Sequence, residues 1–466
     1  MSAKPDLPEQ LLEKAIALGA EAAEVYQSGS LSRPVLFEGN RLKQVETSQS
    51  EGVALRLWKN GRPGLAVGYG PIEPEALVEK ALAISPLNEP ETPYLSTGAG
   101  GAEAATETVI EAADSRRTFP EVGEPVEVTQ LVEWGRAAIA QLRDRFPEVV
   151  CEAELTCDID HTRLINSAGL DYRYQDTSLS SYINAELVSQ DDFLNVGDGS
   201  VSRNSLDMNA IVNNILQRLQ WAEKSVTDTL PNKPLPVIFT PGSAWLLWDT
   251  VQAALNGKRV QEGSSPWSQK WGECVMDSAI ALHQDPFAGP YSCPFDDEGT
   301  PTQSLKLIEN GQIKNWYCDH TTAQLSSEAS SKSSGKSSDK SIKGVSGSTG
   351  NGIRPGLGSY PTPALINCLI TPGQTSWEAL LAQFPEAIIV DQVMGEGGDI
   401  TGDLSINLEL GYRVQQGEVI GRVKDAMVSG NAYTALNHLI ALGSDARWSG
   451  ATYTPSVAVG GLSVTQ

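Results

Sequence analysis

Leu235-Pro236-Val237-Ile238-Phe239-Thr240-Pro241-Gly242-Ser243-Ala244-Trp245-Leu246-Leu247-Trp248-Asp249-Thr250-Val251-Gln252-Ala253-Ala254-Leu255-Asn256-Gly257 is the stretch on which the fold turns. Val237 to Phe239 has the length and composition of a buried strand, and Pro241-Gly242 ends it. Ser243 then offers a hydroxyl suited to an N-cap, so a helix is expected from Ser243 to Asn256. Downstream, Glu309-Asn310-Gly311-Gln312 lies between Leu305/Leu307 and Ile313/Trp316, and Gln416-Gly417 lies between Val414 and Val419. Both read as strands closed by tight turns, and the region 230–466 is expected to be a mainly β domain. The three prolines within Asp228 to Pro236 mark its start.

Upstream the pattern is mixed. Leu11, Leu12, Ala15, Ile16 and Ala23 recur at helical spacing after Pro8. Val53, Leu55 and Leu57 alternate before Asn60-Gly61, with Leu65 and Val67 beyond it, which predicts a hairpin. Helical spacing returns from Pro74 to Ile84, completing an α/β part over 1–87. Residues 88–127 are rich in Glu, Pro, Gly, Thr and Ala without periodicity and read as a linker. A second α/β part over 128–229 carries helices through Leu131, Trp134, Ala138, Ile139, Leu142 and Phe146, and from Asn209 to Ser225. Between those helices, strands are expected around Val149 to Thr156 and Tyr182 to Val188. The fold class is α+β, with an N-terminal mixed region in two parts before the β domain.

At 466 residues the chain exceeds the usual size of a single core. Its 58 acidic against 34 basic residues give a formal charge of −24, which repels phosphate backbones and argues against nucleic acid as a partner. No apolar run approaches the roughly 18 residues of a membrane span. Cys151, Cys157, Cys274, Cys293, Cys318 and Cys368 show no CxxC spacing, and no signal peptide is evident, so reduced thiols in a bacterial cytoplasm are expected.

Local catalytic motifs fail one by one. His161, His283, His320 and His438 are too far apart for a zinc helix. Gly335-Lys336-Ser337 lacks the first glycine of a P-loop, because Ser330 stands there. Residues Ser326 to Ser341 are mostly Ser, Lys, Gly and Asp and read as a disordered insertion. In Cys318-Asp319-His320, taken as a strand, adjacent residues alternate between faces, and a structural role is expected rather than a thiol–imidazole pair. Asp158, Asp160 and His161 read as a polar turn rather than a ligand set.

Three ordered groups of motifs carry a resemblance. They are Asp296-Asp297-Glu298-Gly299-Thr300-Pro301 with Leu307-Ile308-Glu309-Asn310-Gly311; Ser348-Thr349-Gly350-Asn351-Gly352 with Pro361-Thr362-Pro363 and Thr371-Pro372-Gly373; and Gly411-Tyr412 through Lys424-Asp425 to Gly430-Asn431. In this order they resemble the C-terminal domain of the TldD/PmbA family, once called modulators of DNA gyrase. Asn166-Ser167-Ala168-Gly169 agrees with the family's N-terminal region. In metal-bearing TldD members the helix after the first C-terminal strand carries HExxxH, and a later Cys adds a ligand. The matching positions here are Trp248, Asp249, Ala253 and Ser449, so the resemblance implies the metal-free TldE branch, with no catalytic group and no metal on this chain.

The resemblance further implies a heterodimer with a TldD-like subunit that holds a zinc-like metal and acts on unfolded peptides, with a homodimer open to the chain when alone. Asp296, Asp297, Glu298, Gly299, Thr349, Gly350, Asn351 and Gly352 are the candidate partner or peptide contacts, because Gly-rich backbone allows close approach. Gly395, Gly397 and Gly398 are similar. Two other functions compete: an enzyme using Ser449 or Cys318 as nucleophile, and a regulatory protein acting on a DNA enzyme or a toxin–antitoxin pair.

Overall fold

The computed structural model describes residues 6–97, 124–188, 192–226, 230, 234–331, 342–345, 347–395 and 399–466. Asp6 caps α1 (Leu7–Ala17) through a reciprocal bond with Glu9. After α1 come β1 (Ala22–Glu38), β2 (Arg41–Val45), β3 (Ser48–Lys59), β4 (Arg62–Tyr69) and α2 (Pro74–Ile84). The expected first helix therefore stops short of Ala23, which lies in β1 and joins the same small core as Leu11 and Ala15. Asn60 and Gly61 both have positive φ, 52° and 68°, the conformation that joins β3 to β4 without splaying them.

Next come α3 (Val128–Arg145), β5 (Val150–Asn166), β6 (Asp171–Val188), β7 (Phe193–Ser202) and α4 (Met208–Ala222). β5 and β6 are far longer than the apolar runs that announced them. Asp158 and Asp160 of β5 are paired on both sides, with β1 and β6, while Arg173 and Ser178 of β6 lie beyond the β7 ladder and pair with β5 alone. Backbone pairing here does not need apolar side chains on both faces. One sheet, ordered β4-β3-β1-β5-β6-β7 with β2 on β1, unites the two N-terminal parts across the linker. Pro34, with no N–H to donate, falls in the gap where β3 pairing ends at Ser32 and β2 pairing begins at Val35. Of the linker, residues 98–123 lie outside the described residues.

β8 (Ser225–Val226) leads to the C-terminal domain, which opens with β9 (Val237–Phe239), α5 (Trp245–Leu255) and α6 (Gly257–Glu262). Then follow β10 (Leu282–Gln284), β11 (Leu305–Glu309), β12 (Gln312–Ile313), α7 (His320–Ser331), β13 (Gly352–Ile353), β14 (Thr362–Pro363) and β15 (Cys368–Ile370). The chain ends with β16 (Glu386–Met394), β17 (Asp403–Gln415), β18 (Glu418–Val423), β19 (Met427–Asn431), β20 (Leu439–Leu442), β21 (Arg447–Ser449), β22 (Thr452–Thr454), β23 (Val457–Val459) and β24 (Ser463–Thr465). One sheet runs β20-β23-β9-β16-β17-β18-β8, with β19 also paired to β17 and β24 paired to β19, and a second runs β12-β11-β10-β15-β22-β21.

β9 explains why its three residues are all apolar. Val237 and Phe239 enter the core beneath α5, while Ile238 enters a second core shared with Ile215 and Leu219 of α4. Both faces of this strand are dry. α3 and α4 thus contribute to a core that also draws on Ile389, Leu410 and Tyr412 of the large C-terminal sheet. Ser243 is not the N-cap: its hydroxyl donates to the Val390 carbonyl at 2.7 Å, tying the Pro-Gly turn to β16, and α5 begins without a side-chain cap. α7 occupies the start of the expected disordered insertion, with the Ser326 hydroxyl donating to Thr322 O; 332–341 lie outside the described residues. Among the described residues no helix is long and apolar enough to cross a membrane.

Candidate functional site

α5 carries three of the four matched positions, Trp248, Asp249 and Ala253, and β21 carries the fourth, Ser449. Trp248 is fully buried, and its indole Nε1–H donates to the Thr454 hydroxyl at 2.7 Å. Asp249 and Ala253, one helical turn apart, lie on the opposite, more open side: Asp249 is exposed and Ala253 half-buried. Gln252 donates to the Thr452 hydroxyl at 3.3 Å, and Thr452 is the register partner of Ser449 on β21. The fold therefore brings the strand bearing Ser449 alongside the helix, with Thr452 and Thr454 between. An indole and a methyl group supply no ligand atom for a metal, and Asp249 is a single carboxylate. The residues present do not fit a zinc-like ion. Among the described residues no three His, Cys, Asp or Glu side chains converge as a ligand set.

The other candidates form a junction. Asp296 is fully buried, and its carboxylate accepts from the backbone N–H groups of Glu298, Thr300 and Gly352 at 2.8 to 3.0 Å. Asp297 accepts from the Arg354 N–H at 2.7 Å, while Asp297 N–H donates to Gly352 O. Glu298 accepts from the His320 N–H at the start of α7. Thr349 takes the Cys318 N–H on its hydroxyl, and Asn351 donates to Gln284 and to Ala364 O. Glycine is required at Gly299, Gly350 and Gly352; at Gly350 φ is +71° and a Cβ would lie 2.5 Å from the Pro301 carbonyl. Gly299 has φ +76° and a Cβ there would lie 2.6 Å from Leu170, and a Cβ on Gly352 would meet the Glu298 carboxylate at 2.3 Å. The close approach expected of these glycines is made within the chain. Asp297 and Thr349 are half-buried, and the other six are buried.

Burial pushes the Asp296 carboxyl up to about 7 against its three N–H donors. Glu298 rises to about 8, through burial first and then the charges of Asp296 and Asp319. Around them, residues from distant parts of the sequence lock the junction to the N-terminal sheet. Glu24 of β1 is 1% exposed and pairs with Arg354 at 2.6 Å and Arg56 at 3.2 Å. Ser96 donates to Gly299 O, Asn166 donates to Ser96 O, and Tyr94 stacks on His320 with ring centroids 3.2 Å apart. Sequence reading missed Glu24, Arg56, Ser96 and Arg354. Only Arg354, two residues past Gly352, carried a local signal; the rest meet through tertiary contact.

Cys318 and Asp319 precede α7 rather than forming a strand. Asp319 caps the helix by accepting the Thr322 N–H at 2.8 Å, and the buried Cys318 thiol is pushed up to about 12 by desolvation and by Asp319. A thiol so shifted is a poor nucleophile. Asp158 and Asp160 lie on one face of β5, and His161 lies on the other with its ring over Gly29. Gly395 is described, with φ +108°; Gly397 and Gly398 lie outside the described residues.

An α+β chain with this strand–helix opening to its β domain is the architecture of a metallopeptidase family. The profile of the PmbA/TldA metallopeptidase C-terminal domain matches residues 232–466, and that of PmbA/TldA metallopeptidase domain 1 matches residues 23–85. The chain belongs to the PmbA/TldD metallopeptidase family. An uncharacterised protein of Methanocaldococcus jannaschii is 26% identical over 314 residues, 66% of this chain and 68% of that one. A metalloprotease of Methanothermobacter thermautotrophicus is 22% identical over 92% of this chain and 89% of its own. With the metalloprotease TldD homolog of Haemophilus influenzae the match is 26% identical and spans 52% of this chain and 49% of that protein, about half of each. The solved TldE of Thermococcus kodakarensis superposes with a TM-score of 0.83, at 21% identity, covering 99% of this chain and 100% of that one. A candidate modulator of DNA gyrase from Thermotoga maritima gives 0.79 at 22% identity, covering 98% and 99%. At these identities the structural likeness establishes the fold.

Proposed function

We propose that this chain is the non-catalytic, TldE/PmbA-like subunit of a two-chain metallopeptidase, and that a TldD-like partner holds the metal and acts on unfolded peptides. The observation that carries the reading is Trp248: a side chain wholly buried and bonded to Thr454 stands where the family's metal-bearing helix has a histidine. Hydrolysis of an unactivated amide needs a polarised carbonyl and an activated water. Asp249 alone supplies neither, since a lone carboxylate in an open setting has no Lewis acid to work with. In this reading the two subunits enclose a chamber for the peptide, and this chain forms part of its wall and completes the partner.

The test combines purified chain, TldD-like partner and an unstructured peptide. The expected result is chelator-sensitive cleavage only in the mixture, abolished when the Glu of the partner's HExxxH is replaced. Cleavage by the isolated chain at a comparable rate with chelator present would overturn the proposal and direct attention to a nucleophile on this chain.

A further inference from the structure

The face of the N-terminal sheet turned away from α1 to α4 meets the C-terminal domain at one end, through Glu24, Tyr26 and Tyr174. Toward the other end it is open. Strand alternation and register place Val150, Tyr182, Val188 and Phe193 on this face: Val150 pairs Glu186, Glu154 pairs Tyr182, and Val188 pairs Phe193. These four apolar residues are 39%, 55%, 72% and 56% exposed. Tyr182 is laid flat across Gly197 and Gly199 of β7, where a Cβ on either glycine would strike its ring. The glycines thus give the ring a level seat, with one side against the sheet and the other toward solvent.

Carboxylates flank this apolar platform on the same face. Glu152, Glu154 and Asp160 of β5 are exposed and Glu186 of β6 is half-buried. Among the described residues none of these four forms an ion pair; the nearby Lys43 is taken by Glu38, and Arg203 is taken by Asp176. Four carboxylates without an ion pair among the described residues, Glu152 alone feeling Lys43 at longer range, lie beside exposed aromatic and aliphatic side chains; they repel nucleic acid and anionic lipid and attract cationic partners. Alternate residues along β5 repeat at about 7 Å, the same repeat as the side chains on one side of an extended peptide.

We propose that this face captures extended peptide segments that carry lysine or arginine beside apolar residues, the cations against Glu152, Glu154, Asp160 and Glu186 and the apolar groups against Tyr182, Val188 and Phe193. It rests on the reading that the chain serves a peptidase of unfolded peptides, and it adds a charge preference to that substrate class. Capture requires no metal and belongs to this chain alone.

The experiment is fluorescence anisotropy of labelled unstructured peptides against the purified full chain. A lysine–serine–leucine peptide should bind, weaken as salt rises because exposed charges are screened, and lose affinity when its lysines become glutamines or glutamates. The combined variant Glu152→Gln, Glu154→Gln, Asp160→Asn and Glu186→Gln should bind it about tenfold more weakly, since exposed pairs are individually weak and act here as a set, with its melting temperature unchanged. Val188→Thr with Phe193→Thr should weaken the leucine-bearing peptide and spare a leucine-free one. Equal binding of the glutamine peptide, or unaltered binding by the fourfold variant, overturns the inference. Peptide mass is followed in the same tube. Cleavage there would overturn the non-catalytic reading, whereas intact peptide without charge selectivity would overturn only the capture surface.

Discussion

Trp248 is a packing residue, fully buried in the C-terminal core. Its indole fills the core under β9 and spends its N–H on Thr454, so Trp248→Ala removes both a large buried volume and a buried bond. The expected cost is about 3–5 kcal/mol, read as a fall in the urea midpoint. Restoring Trp248→His, Asp249→Glu and Ala253→His together should give no zinc-dependent rise in melting temperature, because Ser449 supplies no third ligand and no groups orient the imidazoles. A chelator-reversible rise would show the site is closer to competence than its residues indicate. Glu298 makes a different prediction. Its carboxyl, ordinarily near 4.5, stands at about 8 in the fold, and Asp296 rises from 3.8 to about 7. Between those limits the folded chain binds more protons than the unfolded one, so their contribution to stability is fully present below the ordinary carboxyl values and is lost progressively as pH rises to about 7 and 8. The slope is at most about 1.4 kcal/mol per pH unit for each group. Glu298→Gln keeps an acceptor for the His320 N–H and should flatten denaturation midpoints measured from pH 6 to 9; an unchanged slope would locate the titration elsewhere.

At the scale of elements, α7 and the long strands show how pairing overrides composition. Ser-rich α7 is a weak helix by propensity, yet Glu298 and Asp319 satisfy N–H groups at its start and Gln261 of α6 reaches Thr322 O and Ser326. A deletion starting at Ser326 should therefore lower the melting temperature by several degrees, while one confined to 332–341 should leave it within about 1 °C. Equal effects of the two deletions would mean that the last turns of α7 contribute nothing. The hairpins were legible for a simple reason: Asn60-Gly61, Asn310-Gly311 and Gln416-Gly417 each place two consecutive residues at positive φ, a demand that few residue pairs meet. The polar middles of β5 and β6 were not, because their neighbours in the ladder come from elsewhere in the chain: β5 pairs with β1, more than a hundred residues away, and Ser180 and Ser181 of β6 pair with Val201 and Ser200 of β7.

For the whole molecule, the junction of Glu24 with Arg56 and Arg354 couples the two halves. Removing one partner of a buried ion cluster strands the others, at a cost of about 3–5 kcal/mol. Glu24→Gln should therefore loosen the N-terminal sheet from the C-terminal domain and split urea unfolding into two steps, seen by following tryptophan fluorescence and far-ultraviolet circular dichroism together. Coincident, unshifted transitions in the variant would mean that the shared core around Ile238, Leu219 and Tyr412 holds the halves together without this cluster.

By itself the sequence determined the α+β class, the strand from Val237 to Phe239, the tight turns and the family, because each is written in local periodicity, turn chemistry or the order of short motifs. Only the tertiary structure decided that the two N-terminal parts share one sheet, that Ser243 ties a turn to β16 instead of capping α5, and that Asp296 to Gly299 and Thr349 to Gly352 close on each other as an internal junction. Those outcomes depend on contacts between residues such as Glu24 and Arg354, 330 positions apart. The physical reason is that a buried carboxylate or a glycine states what it needs, a donor or an open space, but not which distant segment will provide it.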